Sequence, residues 1–410
     1  MSIVVHLFSI IFIWFLLNLA YKARREWFSK RNIEVGFISL VWRSNITEKW
    51  IKISRKYSRL INIYGYVSIP IALATLAFAL KIYLEDIIVI IKVFTAKITT
   101  TSETIPTMTL PTPMIPIIPG LTVGFEILPY LLLALVVGAF LHELSHLILS
   151  FRENIPVKSW GIIVFLVIPI PFVEPIEEEF KKRKLTSKVK VYASGPAANT
   201  TIALISLCLI IILIATLYNI TLYPYIVDLM PGYPAQQYGV PKGTLVLSIN
   251  NNSVTVKPSP LDILFNPYIG LSKFMDELSK YKFRDANITL TLCRPSELSK
   301  TITITVFKNS SIDKIGVYVT VYPDIDVKVP LLKPVIPYLM TLLMWMFIVN
   351  LGLAIINITP LFITDGGRIV NDVLESIIKD RRIAKTLSNI VQLIMTVIVL
   401  SIIIYSTIKM

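Results

Sequence analysis

His142-Glu143-Leu144-Ser145-His146 combines residue types and a spacing that can bind and use a metal ion. On a helix, residues four apart lie on one face, so both imidazoles can grip one zinc ion with a carboxylate between them. The chemistry open to such a set is hydrolysis, with the metal polarising a carbonyl and acidifying a water while the glutamate moves the proton. The chain has three histidines, His6, His142 and His146, and two of them fall in this motif. The surrounding stretch 128–149 is apolar and of membrane length. Ionisable groups are costly in lipid and rarely persist there without a role. The alternative is a pair of helix-packing histidines with satisfied hydrogen bonds.

Two imidazoles do not complete a catalytic zinc site, which usually has three protein ligands and an open position. His6 lies in the first apolar stretch, so a carboxylate is needed. Asn357-Ile-Thr-Pro360-Leu-Phe-Ile-Thr-Asp365-Gly366-Gly367 supplies a candidate. Its proline and paired glycines break the preceding apolar helix and let the backbone turn, bringing Asp365 to an exposed corner. The plainer alternative is a loop whose aspartate caps a helix over 368–378.

The elements that must position these residues are membrane-length helices. The 410 residues are 54% hydrophobic and 16% charged, with a mean hydropathy of +0.70, the profile of a multi-spanning membrane protein. Apolar stretches at 2–21, 61–84, 128–149, 200–217, 335–356 and 390–405 each approach the ~20 residues needed to cross a bilayer. Lys81, Glu85 and Asp86 blur the end of the second. The first lacks a basic start and a small-residue cleavage site and is followed by Lys22, Arg24 and Arg25. It reads as a retained anchor with its N-terminus outside.

A net charge of +14 could suit nucleic acid, but its placement argues for membrane topology. Basic residues crowd 22–59, 152–190 and 368–385, which six spans put on one side, cytoplasmic by the positive-inside rule. The first of these loops, with Trp27, Trp42 and Trp50 interleaved, is expected on an anionic membrane surface, and no nucleic-acid partner is expected. The opposite side receives the Thr/Pro-rich 85–126 and the long segment 223–333. Sequons at Asn219, Asn251, Asn287 and Asn309 fall in or beside the latter. Cys208 and Cys293 imply no disulfide framework. The third and fifth spans both run inward, so His142, His146 and Asp365 lie at the same leaflet.

Together these residues resemble the site-2 protease family of intramembrane zinc metalloproteases. Its signatures are HExxH and a distant Asn-x-x-Pro followed by Asp-Gly, matched by Asn357, Pro360 and Asp365-Gly366. A weaker Gly-x-x-x-Asn at the start of the next core helix is matched by Gly195-Pro-Ala-Ala-Asn199. The resemblance covers about 128–367 and not the first two spans. It implies an endopeptidase that cuts transmembrane helices of membrane-anchored proteins near the cytoplasmic face, releasing a regulator. One Zn2+ per chain would sit on His142, His146 and Asp365, with Glu143 taking the proton from water and returning it to the leaving amine. Asn357 and Asn199 would bind the substrate backbone or steady the oxyanion. For Asn199, a helix N-cap or an interhelical hydrogen bond is the alternative.

The apolar, β-branched segment 160–172 is too short to cross and is stopped by Pro169 and Pro171. By resemblance it is a re-entrant β-hairpin whose edge could accept a substrate strand; a buried loop is the alternative. Glu174, Glu177, Glu178 and Glu179, beside the basic run 181–184, read as a solvated face and not as further ligands. Residues 223–328 have strand-like period-two runs at 287–292 and 301–306. The runs 231–235 and 242–250 resemble the opening strands of a PDZ domain, while 256–266 departs from that pattern. The resemblance implies an extracytoplasmic domain that filters substrates.

The expected architecture is a multi-pass α-helical membrane protein of about six spans, with a re-entrant β segment and an inserted α+β PDZ-like domain. Its expected divisions are 1–127, 128–222, 223–328 and 329–410, and its expected location is a cell membrane. Expected partners are the lipid bilayer and membrane-anchored protein substrates. Three competing readings are a prenyl-peptide-processing type of membrane metalloprotease, a catalytically inactive scaffold binding transmembrane helices through its PDZ-like domain, and a transporter. The Asn-Pro-Asp-Gly motif, the intact HExxH and the lack of a recognisable inverted repeat weigh against them in turn.

Overall fold

The computed structural model describes residues 3–45, 48–99, 117, 120, 122–166, 168–266 and 268–408, so most of the Thr/Pro-rich stretch lies outside the described residues. The chain forms two compact units, 1–207 with 341–410, and 208–340. The first opens with α1 (Ile3–Ala23), α2 (Arg25–Ser29), β1 (Ile33–Val35), β2 (Ser39–Asn45), α3 (Glu48–Lys56) and α4 (Ser58–Thr99). It continues through α5 (Leu128–Arg152), β3 (Val157–Phe165), β4 (Ile168–Pro175), α6 (Glu177–Lys181) and α7 (Leu185–Leu217). The second unit holds β5 (Tyr218–Leu229), α8 (Pro234–Gln237), β6 (Thr244–Ile249), β7 (Asn252–Ser253), α9 (Pro260–Phe265), α10 (Ile269–Ser279), β8 (Ala286–Arg294), β9 (Glu297–Lys308) and β10 (Val317–Val327). The chain returns through α11 (Ile336–Ile358), α12 (Asp365–Ile377) and α13 (Arg381–Ile408).

Among the described residues, five segments are long and apolar enough to cross a membrane: Ser58–Val93, Phe125–Arg152, Leu185–Leu217, Ile336–Ile358 and Arg381–Thr407. The sixth expected crossing corresponds to α1, a helix of 21 residues. The charges that blurred the second stretch are absorbed by α4. Lys81 and Glu85 pair at 3.2 Å on its exposed side, while Asp86 is buried.

α5 ends where Asn154 adopts φ 56°, a left-handed conformation that asparagine tolerates, and Ile155 N–H reaches back to Ser150 O at 2.7 Å. Just beyond that cap, Ser187 Oγ and Lys190 Nζ of α7 donate to the Glu153 carboxylate at 2.6 and 3.0 Å. The HExxH end of α5 is thereby tied to α7. That helix begins at Leu185, so Gly195–Asn199 lie well inside it and not at its start as the sequence suggested. The reason is that the basic stretch before residue 195 is helical too.

The expected hairpin at 160–172 is present as β3 and β4, within a four-stranded antiparallel sheet of order β1-β2-β3-β4. Two features differ from expectation. Part of the basic loop 22–59 forms β1 and β2, with Trp42 opposite Ile162 and the Trp42 and Trp160 rings edge to face at 5.6 Å. Also, Pro169 and Pro171 do not stop β4, because they sit opposite Val164 and Ile162 at positions whose amide side faces away from β3. α1 is fastened to the loops of this sheet, with Trp14 Nε1 donating to Leu166 O at 2.9 Å and Asn18 Nδ2 to Gly36 O at 3.2 Å.

In the second unit, an antiparallel sheet of order β10-β5-β6-β8-β9, with β7 on β6, packs around buried Ile226, Val246, Ile249, Phe274, Leu290 and Leu292. The atypical stretch 256–266 is ordered by a Leu222–Val256 bridge and by α9, which Ser259 and Asp262 open with a reciprocal cap. Cys208 and Cys293 are free thiols, as expected.

The turn from α11 into α12 is the tightest joint in the first unit. A Cβ on Gly366 would lie 1.9 Å from Ile358 O, and one on Gly367 1.9 Å from Leu361 O. Gly366→Ala should therefore destabilise the folded protein by roughly 1–3 kcal/mol or more, read as a lower thermal midpoint in detergent. Gly352→Ala in α11, where an added Cβ meets nothing within 4 Å, should be neutral or stabilising by up to about 1 kcal/mol.

Candidate metal centre

α5 presents His142 and His146 on adjacent turns of one face, and α12 brings Asp365 to them. The two Nε2 atoms are 3.1 Å apart, and Asp365 Oδ2 lies 3.2 Å from each. Atoms held ~2.0–2.1 Å from one tetrahedral Zn2+ stand ~3.3 Å apart, so this triangle has the dimensions of a zinc site. His142 and Asp365 are buried, and Asp365 Oδ2 is a buried oxygen with no conventional hydrogen-bond partner. A divalent cation shared by the three atoms fits both the spacing and the chemistry of the donor set.

Asp365 is not at the exposed corner expected from its proline and glycines. Thr364 is the N-cap of α12, accepting Gly367 N–H at 3.3 Å and donating to Thr359 O at 2.6 Å. This makes Asp365 the first residue of the helix and turns its carboxylate inward. A helix N-terminus favours a negative charge there. Burial works against the Asp365 carboxylate, but the neighbouring His146 and His142 hold its pKa well below the usual range. Arg368 Nη1 is 4.0 Å from the other oxygen, Oδ1.

The far side of each ring is also held. His146 Nδ1 lies 2.7 Å from Val191 O, and because a carbonyl only accepts, Nδ1 carries the proton and Nε2 keeps its lone pair. His142 Nδ1 lies 3.1 Å from Asn199 Nδ2, while Asn199 Oδ1 is buried without a partner. An amide can be turned over without changing its shape. In that orientation Oδ1 accepts from Nδ1–H, and both imidazoles direct lone pairs at the same point. Asn199 thus occupies the interhelical hydrogen-bonding position that was one of its two sequence readings, behind His142 and away from Asp365.

Gly195, one turn before Asn199, faces the cluster directly: an added Cβ would lie 2.5 Å from both Nε2 atoms. Pro196 leaves the Tyr192 carbonyl without its helical donor and loosens α7 at this level. Glu143 sits between the histidines, and its carboxylate lies near the main chain of Val173 in β4. Asn357 is half-buried, its Nδ2 donating to Leu353 O at 3.0 Å, and no hydrogen bond among the described residues joins it to the cluster. Glu174 bonds Lys158 and Ser159, Glu177 pairs with Lys181 and Glu179 with Lys182, all outside the cluster. A polar cleft of about 630 Å³ opens nearby, lined by Val173, Lys188, Tyr192, Gly367, Arg368 and Asp372.

Val191 escaped the sequence reading because it acts through a main-chain carbonyl that leaves no side-chain signature. Gly195 was legible only as a packing residue, although its place one turn before Asn199 puts it on the same helical face. Gly195→Ala should abolish stoichiometric zinc binding, measured by metal analysis, while circular dichroism retains the helical signal. Asn199→Ala should weaken zinc affinity roughly 10- to 100-fold, measured by competition with a chelator.

Comparison with known proteins adds an independent line. The chain is 28% identical over 131 residues to an uncharacterised protein of Methanocaldococcus jannaschii, an alignment covering 32% of this chain and 34% of that relative. The chain therefore spans about a third of the relative's length. The family model described as peptidase family M50 matches residues 130–402, more than half of the chain. Its match runs from the HExxH helix through the Asn-Pro-Asp-Gly turn into the last apolar helix, and on that extent the protein belongs to peptidase family M50, the site-2 protease family.

Proposed function

We propose that the chain is an intramembrane zinc endopeptidase that hydrolyses peptide bonds within transmembrane helices of membrane-anchored proteins, near the cytoplasmic side. Family membership supports a membrane metalloprotease in general. The observation that carries the specific reading is the buried triangle of His142 Nε2, His146 Nε2 and Asp365 Oδ2, with Glu143 beside it. A bound Zn2+ would supply Lewis acidity and an acidified water there.

The chain's own residues account for the remaining work. Val191 O holds the Nδ1 proton of His146, and Asn199 holds that of His142, so both rings are oriented before any ligand arrives. Glu143 takes the proton of the attacking water and delivers it to the leaving amine, breaking the C–N bond with protons balanced. Its carboxylate lies beside the main chain of Val173 in β4, next to the strand assigned to substrate. A substrate must be extended at the cut, because an intact helix shields its peptide bonds. β4 pairs with β3 on one side and with no strand on the other among the described residues, so it offers an edge to such a segment. Asn357, one turn before the α11–α12 joint, is assigned to the substrate backbone or the oxyanion. The polar cleft beside Gly367 and Arg368 provides an approach for water.

Residues 223–328 are assigned as a PDZ-like filter outside the cytoplasm. In support, β10 is an edge strand, and an apolar cavity of about 530 Å³ lies between it and α10, lined by Phe274, Met275, Leu278, Val317 and Tyr318. Removing 223–328 should broaden cleavage to membrane proteins with long external portions, read as new products on gels. Unchanged selectivity would sink the filter.

The central reading is tested by pairing zinc content with cleavage of a membrane-anchored peptide in detergent. Glu143→Gln should retain zinc and lose cleavage by at least ~100-fold, whereas Asp365→Asn should lose both. Zinc-loaded wild type that cuts no membrane-anchored peptide would favour the inactive scaffold.

A further inference from the structure

We infer that the free edge of β4 recognises substrate as a row of hydrogen-bond acceptors only, and that Pro169 and Pro171 make it so. The inference rests on the proposed strand addition and adds which substrate atoms the edge can hold.

The register decides which groups point outward. Pro169 and Pro171 have no N–H to give β3 and so take the non-hydrogen-bonded pairs opposite Val164 and Ile162, and pairs alternate along the hairpin. Ile170 and Phe172 therefore bond inward to β3, while Pro169, Pro171 and Val173 direct their main-chain groups away from it. By the same alternation the outward main chain of Val173 lies beside the Glu143 carboxylate. On the other side of the hairpin, β2 already covers β3, with Leu40 opposite Val164 and Trp42 opposite Ile162. β1 spans only Ile33–Val35, so β4 is the long open edge of this sheet.

An ordinary edge alternates donors and acceptors. Here the outward positions 169 and 171 are prolines and carry no N–H. What faces an incoming chain at these two positions is the carbonyls of Pro169 and Pro171. The surrounding hairpin is apolar, with Phe165, Leu166, Ile168 and Ile170 exposed. In such surroundings an unpaired N–H is tolerated less than an under-used carbonyl, so the prolines also keep the empty edge from capturing other strands.

The occupant is an extended segment of the membrane-anchored substrate that donates backbone N–H groups from residues two apart to Pro169 O and Pro171 O. The carbonyl oxygens of that segment find no strand donor at these two positions and remain free for the hydrolytic groups. Proline or an N-alkylated residue at either donating position is rejected. The residue between them points its N–H away from β4 and is tolerated.

The test is a backbone N-methyl scan of a membrane-anchored test peptide, using the full-length zinc-loaded protein. Cleavage should fall about tenfold or more at two positions separated by one tolerant residue, as expected for loss of one low-dielectric hydrogen bond each. A flat profile, or equal sensitivity at successive residues, while the parent peptide is still cut, would overturn the acceptor-row inference and leave the protease reading standing. The same scan read as binding of fluorescent peptides to Glu143→Gln does not depend on turnover. The two-position pattern in Kd supports the inference even if no peptide is cut, and its absence there refutes it. In Pro171→Val, which adds an outward N–H and keeps the carbonyl, cleavage of the parent peptide should spread to bonds two residues away as a second register becomes available. A single unchanged cleavage site in that variant would count against the role of the proline.

Discussion

Two imidazole nitrogens and a carboxylate oxygen held 3.1–3.2 Å apart in a buried cluster are the constraint on which the rest of the first unit depends. Two imidazoles and a carboxylate do not crowd together away from water without a cation to share or a framework that forces them. α5 supplies the framework for two of the three through helical period alone. The third must come from a distant segment whose backbone folds back tightly, and nearly every special residue of the unit serves that return.

Close approach is bought with glycine at each joint. Gly366 and Gly367 let the start of α12 pack against the carbonyls of Ile358 and Leu361, and Gly195 leaves the space in front of the imidazoles open. Polar ties then hold the helices in register: Glu153 to Ser187 and Lys190, His146 to Val191, and His142 to Asn199. In apolar surroundings an unsatisfied polar group is costly, so each tie disfavours sliding of α5 against α7. Both imidazoles are held from behind, which leaves their Nε2 atoms facing Asp365.

The β sheet links this centre to its proposed substrate. β4 passes beside Glu143, the proposed acid-base residue, and its prolines face the unpaired edge. The strands contributed by the basic N-terminal loop close the opposite edge, so an added strand has one long place to go. The same sheet that flanks Glu143 thereby restricts how a peptide can lie against it.

The sequence by itself determined the chemistry and the membrane setting. HExxH, Asn-x-x-Pro and Asp-Gly name the candidate ligands and base because side-chain type and helical period are local properties, and the long apolar stretches mark the helices for the same reason. It overestimated the exposure of Asp365, because a Pro and two glycines signal a turn without saying which way the turn faces. It read Pro169 and Pro171 as stops, because whether a proline ends a strand depends on which side its missing N–H lies. Only the tertiary structure decided that Val191 and Asn199 hold the imidazoles, that Gly195 leaves the space in front of them open, and that the basic loop pairs with β3. Those roles arise from main-chain groups, from the absence of a side chain and from partners far apart in the chain, and none of the three leaves a mark in local spacing.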